Sequence, residues 1–197
     1  MSQPLAIYAS IPPAVAPIPG PLWIGTQPVV VTNPFTFWPS LDWTGDNITP
    51  TSGFGEIPQY LFSVAQADPS INTIATFTRR LTVGAIGSTF TVTTIPPGLY
   101  NLSISHAADN QYSLTVTATL IGIPLVLTPV GFNTNTPSPL QWRNVKTYEY
   151  LAINLLTGDT LDITSSVVNL AAPGFTPDQN PAMFTWITQF LIPVLGG

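Results

Sequence analysis

The chain has 197 residues with 4 basic and 9 acidic side chains, which gives a formal net charge of −5. Only 7% of its residues are charged, against about 25% in an ordinary soluble domain, while 45% are hydrophobic and 22 are proline. The 11% aromatic content argues against a disordered chain. Four basic side chains are too few to bind nucleic acid, and a chain without cysteine has neither disulfides nor thiolate metal sites.

The first predicted element is a proline-rich arm with a first strand, over residues 1–55. It holds ten of the 22 prolines and no charge before Asp42. Proline fixes φ and extends the preceding residue, so the arm should be extended. Its apolar side chains favour burial, either on their own domain or on a neighbouring copy. The residues predicted to form this assembly arm are Ile7, Tyr8, Ile11, Val15, Ile18, Leu22 and Trp23.

Residues 56–197 predict a β-sandwich. Apolar and polar residues alternate over several short segments rich in β-branched side chains, which is typical of half-buried strands. These segments are 76–83, 89–92, 99–105, 112–117 and 161–164. Glycine, proline and Asp-Asn turn signals fall between them, so we expect eight to ten antiparallel strands in two sheets and no long helix.

The last predicted strand covers residues 182–193, which carry no charge. An uncharged strand of this length is expected in the centre of a sheet or under a partner. Neither 121–130 nor 184–195 is long and apolar enough to span a bilayer. No basic residue precedes Arg79, so we expect no conventional signal peptide.

Three segments in order resemble the galactose-binding-like jelly-roll module of bacterial surface proteins and glycoside hydrolases. They are an arginine-containing strand at 77–83, an Ala-Asp-Asn-x-Tyr segment within 102–116, and a Trp/Val/Tyr strand followed by a Gly-Asp-x-Leu turn within 142–169. The resemblance implies a jelly roll over roughly residues 58–193, with 102–116 forming a hairpin between two central strands. It also implies that a glycan or a structural calcium ion is a possible ligand.

The segment 41–47 is the most site-like cluster of the sequence. Trp38, Asp42, Trp43 and Asp46 could stack on a sugar and accept hydrogen bonds from its hydroxyls. Alternatively, the two aspartates form Asx-turns while the tryptophans anchor the arm.

Other acids offer little for catalysis or metal binding. Acid–base pairs could be drawn from Asp42, Asp46, Glu56, Glu149, Asp159 and Asp162, and calcium ligands from Asp42 and Asp46 or from Asp159 and Asp162. These carboxylates are few, so we expect no cofactor and no enzyme activity.

The histidine His106 stands three residues before Asp109 without a nucleophile-elbow motif. It is predicted to be a polar residue flanking the turn. Arg79 and Arg80 are adjacent and point to opposite faces of a strand, so one must lie near the core. Its expected partner is Glu149 or Asp68, and the alternative is a guanidinium that faces a ligand.

The charge deficit indicates the function. Residues 81–108 and 110–142 carry no charge, yet they must supply several strands and at least one sheet edge. Unprotected edges of this kind associate unless neighbours cover them. The sequence therefore predicts a non-catalytic structural subunit whose partners are other copies of itself. It would build an extracellular or surface-assembled fibre, appendage or shell, cellular or viral, with the arm on neighbouring copies. The alternative is a carbohydrate-binding module.

Overall fold

The structure is a computed structural model that describes residues 3–11, 22–24, 29–32, 50–62, 68–130, 145–176, 179–180 and 182–193. These residues form twelve β-strands. The described ranges contain no helix that is long and apolar enough to span a membrane. The strands are β1 Ala6–Ala9, β2 Trp23–Ile24, β3 Val30–Val31, β4 Leu61–Phe62, β5 Thr73–Val83, β6 Thr94–Ile95, β7 Gly98–Asp109, β8 Gln111–Leu120, β9 Ile123–Leu127, β10 Lys146–Leu155, β11 Thr160–Asn169 and β12 Met183–Leu191.

The strands form two six-stranded sheets packed as a sandwich. The first sheet has the order β10-β7-β12-β4-β3, with β1 also paired to β12; the second has the order β2-β5-β11-β8-β9, with β6 paired to β5. The pairs β4·β12, β5·β11, β7·β10 and β8·β9 are nested and antiparallel. This is the order of a hairpin rolled up into a jelly roll. The predicted all-β, antiparallel two-sheet sandwich is confirmed.

The alternating sequence explains which side chains enter the core. In β11, buried and half-buried residues alternate over the whole strand. In β5, Phe77 and Leu81 point inward, whereas Thr76 and Thr78 point outward and their hydroxyls bond those of Ser166 and Thr164 on β11. Two of the outward cross-strand pairs on this sheet are thus hydroxyl pairs rather than charged pairs.

The predicted central position of the last strand is confirmed. β12 pairs with β7 along one side and with β1 and β4 along the other. Its inward residues Phe184, Trp186 and Phe190 are fully buried, and Phe184 stacks on Phe77 of the opposite sheet at 4.3 Å between ring centroids.

Two sequence predictions about individual strands are wrong. Residues 89–92 are not a strand, because a backbone hydrogen bond from Thr91 N–H to Thr94 C=O turns the chain there. Residues 102–116 are not a hairpin: β7 and β8 belong to different sheets, and the chain crosses between them at Asp109–Asn110. Alternation predicts that a strand exists but not which sheet receives it.

Candidate assembly surface

The predicted ligand-binding residues lie outside the described part of the chain. These are Trp38, Asp42, Trp43 and Asp46. Two residues of the predicted assembly arm, Val15 and Ile18, also lie outside it. The predictions made for them stay predictions.

The other five residues of the arm contact their own sandwich. Ile7, Tyr8, Ile11 and Leu22 are buried, and Trp23 is half-buried. Strand β1 runs antiparallel to β12 in the first sheet. The Tyr8 ring packs 5.3 Å from that of Phe190, and its hydroxyl donates a 2.6 Å hydrogen bond to the carbonyl of Thr94. The described start of the arm is therefore part of the core.

A buried ion pair fixes β1 in this position. The fully buried guanidinium of Arg79 donates to both oxygens of Glu56, at 2.5 and 2.6 Å, and to the carbonyls of Ala9 and Val92. Glu56 also accepts the backbone N–H of Ala9 at 2.8 Å. Both charged side chains are thus almost completely removed from solvent, with several bonds each, and Ala9 of β1 is bonded to both partners.

The arginine prediction is confirmed for burial and wrong for the partner. One of the two adjacent arginines is buried with a carboxylate, but that carboxylate is Glu56. Glu149 instead accepts the Ser103 hydroxyl, and Asp68 accepts from Ser70 at the surface. Arg80 points outward, where it donates to Asp162 at 2.7 Å.

The second notable carboxylate, Asp159, ties loops together at one end of the sandwich. One of its side-chain oxygens accepts the N–H of Ile121 at 2.9 Å, and the other accepts the N–H of Leu156 at 2.8 Å. Its backbone carbonyl accepts from Val83 at 2.8 Å. These bonds join the end of β5, the β8–β9 turn and the β10–β11 turn.

Both acids of the second calcium candidate therefore have internal partners. Asp159 binds backbone amides, and Asp162 binds Arg80. Within the described ranges, no group of three or more His, Asp or Glu side chains could hold a metal ion.

The loops tied by Asp159 present apolar side chains to solvent. Ile121 is 81% exposed at the β8–β9 turn, and Leu156 is also exposed beside Asp159. Ile86, in the turn three residues beyond Val83, is almost fully exposed. Because bonds to Asp159 hold these turns together at one end of the sandwich, their exposed apolar side chains form a candidate contact surface.

Strand β9 continues this apolar surface along the edge of the second sheet. Among the described residues it pairs with β8 alone. Ile123, Leu125 and Val126 are 70%, 52% and 63% exposed. Natural edge strands are normally guarded by charge, and here only Pro124 interrupts an uncharged edge. We call Ile121, Ile123, Leu125, Val126 and Leu156 the apolar edge.

His106 is not a residue flanking a turn, contrary to the prediction. It is fully buried in β7, its ring stacks on Tyr112 at 4.0 Å, and its Nε2 lies 2.6 Å from the Ser165 hydroxyl. Burial lowers the pKa of His106 to about 3, so the ring is neutral. Burial also raises the pKa of Asp109 to about 7. No substrate can reach a serine–histidine pair enclosed in this way.

Comparison with known proteins finds no matching family model, curated protein or solved structure. Function is therefore inferred from the surface itself. No residue of β9 was predicted as a site residue, although the uncharged run 110–142 that contains it indicated an unguarded edge. The sequence did not show that β9 is the last strand in the order of the second sheet, and this position is what makes β9 an edge.

Proposed function

We propose that this protein is a non-catalytic structural subunit that assembles with other copies of itself into an extracellular or surface-exposed fibre, appendage or shell. The observation that carries the proposal is the apolar edge. It combines strand backbone that no other described strand pairs with and exposed isoleucine, leucine and valine, and no charge lies within residues 110–142.

Burying such a surface is favourable by about 25 cal/mol per Å² of apolar area removed from water. Leaving it exposed in a chain with 7% charged residues favours uncontrolled association. Covering it with another copy removes both the exposed apolar area and the open backbone groups. Because β1 is fixed in its own core, we assign the contact between copies to the apolar edge. A contact of the arm with neighbours stays a prediction for residues 12–21.

The placement of the titratable groups supports a non-catalytic role. Glu56, Asp159 and Asp162 each bind an internal partner, and His106 is enclosed in the core. General acid–base catalysis requires such groups to converge on a substrate. In the described part of the chain they are distributed over separate structural contacts.

A second candidate function is carbohydrate binding, as in the galactose-binding-like modules that the sequence resembles. One described feature favours it: a cleft of about 150 Å³ between β8, β9 and β10, lined in part by Thr115, Thr128, Tyr148 and Tyr150. Aromatic and hydroxyl side chains suit a sugar, but the cleft is smaller than the roughly 300 Å³ of a typical ligand pocket. Glycan-array binding that is lost in Thr128→Trp, which would fill the cleft, would favour this function and assign the sugar to the cleft. Binding that is lost in Trp43→Ala would assign it to the predicted segment 41–47.

The assembly proposal is tested by placing a charge on the apolar edge. Val126→Lys adds the residue type that commonly guards natural edges, at a largely exposed position. Ile71→Lys is the matched control, because Ile71 is 58% exposed in the loop before β5, away from β9. We expect size-exclusion chromatography and negative-stain microscopy to show assemblies for the unmodified chain and the control, and smaller species for Val126→Lys. Equal assembly of all three proteins would contradict the assignment to the apolar edge.

A further inference from the structure

Among the described residues, the backbone groups on the outer side of β9 have no strand partner. The β8–β9 hairpin turns through Ile121 and Gly122, both with positive φ (52° and 79°), as in a two-residue type I′ turn. The flanking pair Leu120–Ile123 is then hydrogen-bonded, and bonded and non-bonded pairs alternate along the ladder. Ile123, Leu125 and Leu127 therefore direct their backbone groups to β8. Pro124 and Val126 direct theirs away from it.

The same alternation continues beyond the strand. The N–H of Val130 bonds the carbonyl of Glu149 on β10 at 2.7 Å, so this residue also points away from β8. Thr128 is the outward residue between Val126 and Val130. The outward backbone of this edge is thus Pro124, Val126 and Thr128.

Pro124 restricts the ways in which a second strand can pair with this edge, because it has no N–H. If Val126 lies opposite Val126 of a second copy, the two residues exchange both of their backbone hydrogen bonds. The carbonyl of Pro124 then accepts from Thr128 of the second copy. One neighbouring two-fold register places Val126 opposite Pro124, so that the carbonyl of Val126 faces the missing N–H. The other places Pro124 opposite Val130, whose N–H is already bonded to Glu149 of the same chain. The register centred on Val126 pairs both backbone groups of Val126 and avoids that contact.

The charge pattern and the other edges indicate that the occupant is β9 of a second copy. Each chain has a net charge of −5, but residues 110–142 carry no charge, so this segment brings no like charges into contact when two copies meet here. The long edge strand β10 instead carries Lys146 and Glu149, and its register shifts between Tyr150 and Ile153. Strands β2 and β3 have two residues each. β9 is the longest uncharged edge in the described part of the chain.

We propose that two copies pair through their β9 strands, antiparallel and with the two-fold axis at Val126. This inference rests on the proposed self-assembly and specifies its first contact. The second sheet of one copy and the second sheet of the other then form one continuous sheet. The exposed side chains of Ile123 and Leu125 are covered on the inner face of this joined sheet. A two-fold contact closes on itself, so growth beyond the pair uses a different surface.

Cysteine cross-linking tests this register, because the chain has no cysteine of its own. In the proposed pairing, Val126→Cys places two sulfur-bearing residues at a Cα separation of about 5.5 Å, within the range that a disulfide spans. Leu125→Cys lies opposite Leu127, and two copies of residue 125 are diagonal neighbours at about 7–8 Å. Ile71→Cys is the control.

After mild oxidation, we expect a disulfide-linked dimer on a non-reducing gel for Val126→Cys and monomer for the other two variants. A mixture of Pro124→Cys and Thr128→Cys chains should give the mixed dimer, which provides a second readout if one variant folds poorly.

Three other outcomes would each contradict a different part of the proposal. Cross-linking of Leu125→Cys without Val126→Cys would overturn the register. If no variant cross-links while the unmodified chain assembles, the two-fold pairing is wrong and self-assembly stands. If the unmodified chain is a monomer, both proposals are wrong.

Discussion

Removing the buried acid Glu56 should destabilise the protein far more than removing an exposed one. Glu56→Ala leaves the guanidinium of Arg79 fully buried with no opposite charge and takes the acceptor from the N–H of Ala9. Breaking one partner out of a buried ion pair costs about 3–5 kcal/mol. For a domain of this size, each kcal/mol lowers the melting temperature by about 2–4 °C, so the expected decrease is about 6–20 °C.

The adjacent arginine provides the matched control. Arg80 and Asp162 form an ion pair in which the arginine side chain is 44% exposed, and such pairs contribute about 0–1 kcal/mol. Urea unfolding followed by circular dichroism measures both Glu56→Ala and Asp162→Ala. If the two variants lose the same free energy of unfolding, Arg79 is not held by Glu56 in the way described.

Three further predictions concern the arm, the loops and the pH dependence. Deletion of residues 1–11 removes β1 and should lower the melting temperature while leaving the oligomeric state unchanged; a stable but smaller species would mean that the arm bridges copies. Asp159→Ala should remove hydrogen-exchange protection at the amides of Ile121 and Leu156, with Asp159→Asn intermediate because it keeps one acceptor oxygen; unchanged protection would contradict the role of Asp159. Burial raises the pKa of Asp109 to about 7, above its unfolded value, so the folded state favours the neutral acid. Its contribution to stability is complete below about pH 4 and is lost as the pH rises through 7, and Asp109→Asn should remove this decrease in urea unfolding at pH 5 and pH 8.

The sequence predicted strands well wherever polar and apolar residues alternate. The segments 76–83, 99–105, 112–117 and 161–164 all lie within observed strands. Alternation follows from the pleat, which is local, whereas sheet membership depends on contacts between distant strands. The hairpin over 102–116 was implied by the family resemblance and not by alternation, and it is wrong because its two strands lie in opposite sheets.

For the candidate site, too, the sequence predicted the features that depend on local strand geometry and missed those that depend on contacts between distant residues. Adjacent Arg79 and Arg80 had to point to opposite faces, so burial of one arginine followed from the strand geometry alone. Its partner Glu56 lies 23 residues earlier, outside any alternating segment, and no sequence signal places it there. The uncharged run 110–142 indicated an open edge, but only the sheet order identifies β9 as that edge.

The most direct test of the account is sedimentation velocity of the unmodified chain, purified without denaturant and measured over a wide range of concentration. If the apolar edge is covered by other copies, the sedimentation coefficient should rise with concentration from that of a 21.1 kDa monomer to that of a dimer and larger species. A single monomeric boundary at every concentration, with the sandwich folded, would contradict the claim that this protein assembles.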